Sequence, residues 1–188
     1  LKLPRRYPRL LRVSCALLFI ALCLMGYTRI MIKWGHASPP MLLPATQQAD
    51  LIVINKSERT LTLMRQGVQL ASYHVSLGKK ANAGPKQREG DKKTPQGHYF
   101  IDSRNSHSRF SLSLHISYPN KKDIKAAKEA GYPPGENIMI HGMPNGWEWL
   151  SPLLQRIDWT AGCIAVTNTE MREIWSHVPT GTPVDIEP

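Results

Sequence analysis

An uncharged apolar run, Val13–Thr28, sits directly behind a cluster of arginines and constrains the chain more than any other feature. A membrane-spanning helix needs about 20 apolar residues. The run reaches that length if Arg29 turns its charge toward the headgroups and Ile30-Met31-Ile32 are added. Such a segment has no place in the core of a small domain. It is either a signal peptide cut near Gly35-His36-Ala37 or an uncleaved signal anchor. The basic residues ahead of it hold the N-terminus in the cytoplasm, so in both readings the rest is exported, to the periplasm or cell envelope. Neither Cys15 nor Cys23 fits a lipid-attachment signal. Cys15 follows Ser14 at the near end of the run, and Cys23 follows Leu22, which is not small. A first residue of Leu is expected where the start codon is unusual or where the sequence is a piece of a longer one.

The formal charge of +10 suggests nucleic acid until it is located. Residues 1–33 hold seven basic side chains and no acidic one, which leaves 17 basic against 14 acidic, or +3, for the remaining chain. The basicity is mostly a targeting feature, and no nucleic-acid partner is expected. Three segments follow: a signal or anchor over 1–33, a proline-bearing linker over 34–49, and one domain over 50–188.

Within the domain the signals are those of strands. Leu51-Ile52-Val53-Ile54 is a short β-branched run ended by the turn cluster Asn55–Glu58. Thr60–Met64 alternates, with Leu61 and Leu63 on one face, and a third strand is expected near Gln69–Leu77. This is an antiparallel meander. A glycine- and lysine-rich loop over 78–97 carries six basic residues against two acidic ones. It reads either as a solvated loop or as a basic rim that attracts a carboxylate-bearing substrate. A strand begins at Tyr99-Phe100-Ile101, and His107 falls in a polar loop. In Ser111–Ser117 the apolar residues Leu112, Leu114 and Ile116 share one face. His115 lies on the other, where it is either a surface histidine or part of a cleft wall. Lys121–Ala130 reads as a helix closed by Gly131. Asn137–His141 reads as a strand, and Ile164-Ala165-Val166 as another. Thr167 and Glu170 make a capping box for a helix whose Met171, Ile174, Trp175 and Val178 share one face. Thr182–Ile186 ends the chain as an expected edge strand.

Cys163 is the only cysteine outside the N-terminal apolar stretch. Exported domains normally pair their cysteines, and this one has no partner within its domain, so it reads as an inert buried thiol or a reactive one. The attacking species in thiol chemistry is the thiolate, which needs a base or a positive environment. His141, ending a strand, is the best-placed base, with Gly142 beside it to allow close approach of a substrate backbone. Gly162 lets the chain turn so that backbone N–H groups near Cys163 can meet a developing oxyanion. No carboxylate is evidently placed to orient His141, and a backbone carbonyl is the alternative. Asp158 reads as a turn or ion-pair residue. Thr160, Ala161, His115 and Tyr118 complete the candidates for lining the site. Scattered histidines with one mature cysteine give no metal-ligand spacing, so no metal and no cofactor is expected.

Ile140-His141-Gly142, then Thr160-Ala161-Gly162-Cys163-Ile164, a helix, and Gly181-Thr182-Pro183-Val184 resemble the L,D-transpeptidase (YkuD-type) catalytic domain. So does the upstream run Gly90-Asp91-Lys92-Lys93-Thr94-Pro95 with Gly97 and Tyr99. The resemblance covers about residues 50–188. It implies a mostly β, sandwich-like fold with one or two short helices and a cysteine in a cleft. It also implies an acyl-enzyme formed on Cys163 with a peptidoglycan stem peptide at its diaminoacyl centre, with His141 and Gly162 carrying over. The outcomes it implies are wall crosslinking, attachment of a wall-bound lipoprotein, or, as in amidase-like members, hydrolysis of such links. Ala161 and Ala165 stand where many members carry histidine and arginine or asparagine. The stretch between His141 and Cys163, with its tryptophan-bearing Asn145–Leu150, is longer than usual. The rival from another class is a membrane-tethered wall-binding module with an inert cysteine.

Overall fold

β-Branched and alternating residues fix the first three strands, and their burial follows the alternation. The structure is a computed structural model that describes residues 7–35 and 38–188. In β1 (Leu51–Asn55) the side chains of Ile52 and Ile54 are fully buried, as are Leu61 and Leu63 in β2 (Thr60–Arg65). With β3 (Val68–His74) they form the expected meander, β1 pairing antiparallel with β2 and β2 with β3.

The long strand β4 (Gly97–Ser108) decides the architecture. The remaining elements are β5 (Ser111–Ile116), α2 (Lys121–Glu129), β6 (Met139–His141), α3 (Ser151–Leu154), β7 (Ile164–Ala165), α4 (Asn168–His177) and β8 (Pro183–Glu187). The sheet order is β3-β2-β1-β8-β4-β5-β6-β7. Residues 97–100 of β4 pair with β8, and residues from Ile101 onward pair with β5. One strand thus serves both halves of a single mixed sheet, so the two layers of the expected sandwich are halves of one curled sheet. The curl brings the far ends together: Ser76, just past β3, bridges Ala165, and Gly78 bridges Thr160. Between the halves lies a core that includes Ile101, Leu112, Leu114, Ile116, Ile140 and Ile164.

Two expectations need correction. The final strand is not at an edge, because β8 lies between β1, to which it is parallel, and β4. Its proline is tolerated because Pro183 is the first residue of the strand and the pairing with β1 starts only at Val184. His107 is inside β4 rather than in a loop. The strand keeps its ladder through Asn105 and resumes at Ser108 after an irregularity that the polar sequence disguises.

The helices form as their end signals require. In α4 the Thr167 side chain accepts from the Glu170 N–H while Glu170 reaches back to the Thr167 N–H. Met171, Ile174, Trp175 and Val178 are buried. Burial of such side chains contributes about 1.5–3 kcal/mol each. α2 starts at an Asn120–Asp123 capping box and stops at Gly131, whose φ is +75°. Ahead of the domain, α1 (Tyr7–Trp34) contains the apolar run, and Leu10–Trp34 is long and apolar enough to cross a membrane. Residues His36 and Ala37 of the expected cleavage region lie outside the described residues. The segment expected as a linker lies along α4, with Leu43 N–H donating to Ser176 O and Ala49 N–H to His177 O.

Candidate active site

Register places the thiol and the imidazole on one face. Ser113 of β5 stands opposite His141 of β6, and His141 beside Ala165 of β7. One step along the strands, His115 faces Met139, and Cys163 immediately precedes β7 next to Met139. Alternation then puts Ser113, His141 and Ala165 in one row and His115, Met139 and Cys163 in the next. The first row is closed, with Ser113, His141 and Ala165 all buried. The second row is half-open.

His141 is held by its own neighbour. Its Nδ1 lies 2.7 Å from the Gly142 carbonyl. A carbonyl only accepts, so Nδ1 carries the proton and Nε2 keeps its lone pair. The ring is walled by Phe110, at 4.5 Å between centroids, and by Trp159 at 5.8 Å. Burial among these rings pushes the imidazole pKa down to about 4, partly offset by the bond to Gly142. At neutral pH this histidine is an uncharged base. Gly142 does not open space toward a substrate. Its N–H donates to Phe110 O, and an added Cβ would come 2.5 Å from Asn168 Oδ1, so the close approach it permits is to the chain's own backbone and side chains.

Thr160 staples the turn that carries the thiol. Its hydroxyl donates to Cys163 O at 2.7 Å and accepts from Gly162 N–H at 3.1 Å. Gly162 has φ +137°, and a Cβ there would meet the Lys93 carbonyl at 2.6 Å, so only glycine fits. Ala161 is exposed at the tip. The Cys163 thiol lies 3.5 Å from Asn137 O, to which its proton is directed. Burial pushes the thiol pKa up, against a backbone hydrogen bond from Met139 and the positive charge of Lys86.

Lys86 is where the basic loop departs from a solvated one. It is buried and paired with Asp91 at 3.0 Å, and it also donates to Arg88 O. Asp91 further accepts from the N–H groups of Gln87, Arg88 and Lys93; burial pushes its carboxyl up, but these bonds together with Lys86 hold it below the usual carboxylate range. The Lys86 ammonium stands 6.0 Å from the Tyr118 ring centre, and Tyr118 donates to Pro134 O. Beside this loop opens a groove of about 890 Å³ whose lining includes Lys80, Arg88, Lys93 and Lys122. His115 bonds Asp102 at 2.6 Å and remains partly exposed. Asp158 pairs with Arg59 at 2.7 Å and accepts from Leu77 N–H, a structural role. Among the described residues no cluster of three or more His, Cys, Asp or Glu is arranged to hold a metal ion.

The family model for the L,D-transpeptidase catalytic domain (YkuD) matches residues 49–186. The chain belongs to that family. It is 35% identical over 133 residues to YafK of Escherichia coli K12, a protein named as a candidate L,D-transpeptidase, a match covering 68% of this chain and 46% of that protein. This YkuD-family chain thus spans about half the length of the curated relative it matches. Among solved structures, the helical cell shape determining protein Pgp2 from Campylobacter jejuni aligns with a TM-score of 0.57 at 23% identity, over 85% of this chain and 55% of that one. Bd1075 of Bdellovibrio bacteriovorus aligns at 0.52 and 23%, over 80% and 52%. These two likenesses carry the curled, mostly β fold of the YkuD domain.

Phe110 and Trp159, the rings around His141, escaped the sequence reading. Trp159 directly precedes Thr160 and could have been noticed there. Phe110 reaches His141 only through the β4–β5 turn, and no sequence pattern announces it.

Proposed function

We propose that this YkuD-family chain is an exported cysteine acyltransferase acting on peptidoglycan stem peptides. The carrying observation is that Cys163 lies on the same face as His141, one row along, and that Gly142 O fixes the His141 Nδ1, which leaves Nε2 to serve as a base. Cys163 Sγ attacks the peptide carbonyl and its proton passes to His141 Nε2. The Cys163 N–H takes the oxyanion, because Gly162 N–H is already used by Thr160. Collapse breaks the C–N bond, and the departing amine takes the proton back from His141, leaving a thioester. An acceptor amine, of a second stem peptide or a wall-bound lipoprotein, then gives its proton to His141 and attacks. Sulfur leaves and recovers the proton.

Both resting groups are neutral, since burial raises the thiol and lowers the imidazole. Proton transfer therefore accompanies attack, and no thiolate–imidazolium pair waits for substrate. The lysine-lined groove beside Lys86 suits a donor bearing free carboxylates. α1, with its basic flank, supports a reading in which the domain faces the periplasm or envelope from an inner-membrane anchor.

Incubating the chain with muropeptides and resolving products by mass tests this. A covalent adduct on Cys163 followed by crosslinked dimers supports transfer. Freed peptide alone turns the same chemistry into hydrolysis. An unmodified Cys163 and unchanged muropeptides would leave the non-catalytic wall-binding module as the reading.

A further inference from the structure

The segment between β6 and α3 is tied to the end of the apolar helix. Tyr27 Oη donates to Gly146 O at 2.9 Å, and the rings of Tyr27 and Trp147 meet edge-to-face at 6.1 Å. At Gly146 an added Cβ would lie 2.6 Å from Met31 Cγ, and at Gly35 one would lie 3.2 Å from Asn145 Cβ. The contact therefore covers the last two turns of α1.

Depth follows from length. Leu10–Trp34, 25 residues, extends about 37 Å as a helix. The hydrocarbon core of a bilayer is about 30 Å thick. Counted from Leu10, about 20 residues fill that core and the crossing ends near Arg29. Tyr27 then lies just inside the boundary and Met31 just outside it, so a loop touching both stands at the boundary. On this loop and the chain that follows, Trp149, Leu153 and Ile157 are 66%, 59% and 53% exposed. Trp149 stacks obliquely on Trp147 at 5.9 Å. Arg156 is exposed in the same stretch, and Arg29 and Lys33 lie near the exit of α1. Tryptophan, aliphatic side chains and cations together are what a headgroup boundary accepts. In water, the same residues are an unexplained apolar surface.

We propose that residues 145–157 are a second membrane contact, seating one side of the domain on the outer face of the bilayer that α1 crosses. This rests on the reading that α1 remains as an anchor. Trp149, Leu153 and Ile157 enter the boundary between headgroups and acyl chains, and the domain cannot swing freely on its tether. Trp159, against His141, follows this segment closely, so the seat fixes the site near the membrane and favours wall material lying next to it.

The test uses the full chain carrying Trp34→Phe, in vesicles of phosphatidylethanolamine and phosphatidylglycerol, with or without brominated acyl chains that quench nearby tryptophans. Quenching is expected, and Trp147→Phe/Trp149→Phe should remove most of it. Leu153→Asp/Ile157→Asp, at exposed positions that folding does not need, should at least halve it. A chain that floats with the vesicles and resists carbonate, yet shows no bromine-dependent quenching, overturns the seat and leaves the anchor standing. A chain stripped by carbonate overturns the anchor reading, and the seat falls with it.

Discussion

Two histidines on one face of the sheet, His141 and His115, show how little separates a candidate base from a bystander. They lie in successive rows of the β5–β6 pair. His141 is buried, bonded to a carbonyl and walled by aromatic rings. His115 is partly exposed and bonded to a carboxylate, Asp102. A carbonyl partner fixes the tautomer without adding charge. Burial and partner, more than position on the strand, make His141 the better candidate for the neutral base of the proposed proton transfer.

The sharpest way to break this contrast is substitution of each histidine. His141→Ala should lower the rate of adduct formation on Cys163 by about 10²–10⁴-fold. His115→Ala should change it by less than about tenfold. Intact mass spectrometry against a stem tetrapeptide reads both, and a larger loss at His115 would exchange their roles.

Stability against pH tests the burial of His141 next. His141 is held neutral down to about pH 4, while in the unfolded chain it takes up a proton near 6.5. The unfolded state therefore binds more protons between these values, and the folded molecule loses stability as pH falls through that window. The full difference is about 3 kcal/mol. Urea melts from pH 7 to 4 should show it, and His141→Asn should flatten the slope.

Thr160→Val removes both bonds of the staple and should cost about 1–3 kcal/mol by leaving Gly162 N–H without its acceptor. It should also slow adduct formation while His141 keeps its partner. Urea denaturation and adduct kinetics measure the two effects. The smallest effect concerns the charge near the thiol. Lys86→Met removes the cation that lowers the Cys163 pKa, so the alkaline rise in iodoacetamide labelling should move to higher pH. The wild-type thiol, raised by burial, should already label slowly at pH 7. An upward move absent in Lys86→Met would mean that the ammonium is screened from the sulfur.

Much of this was readable because it is local. The alternation of Leu61 and Leu63, the Thr167–Glu170 capping box and the Gly131 stop are written within a few residues, and each formed as read. Carbonyl orientation of His141 was the alternative left once no carboxylate was in view. What escaped depends on residues far apart in the chain. Pro183 suggests an edge until β1 and β4 are seen on either side of it. Lys86 sits among solvated lysines, and nothing nearby says that Asp91 and Tyr118 will bury it. Phe110 and His141 meet only because β5 lies beside β6.

The bridges from Ser76 to Ala165 and from Gly78 to Thr160 carry a consequence for the order of events in folding. They join segments roughly eighty to ninety residues apart, so the loop-closure entropy of more than half the domain must be overcome before the thiol turn is braced. The meander and α4 can form early from neighbouring residues, but the nucleophile's setting is completed late. Until the sheet closes, Cys163 is an ordinary, unassisted cysteine. Under the proposed function, competence would arrive only with that closure.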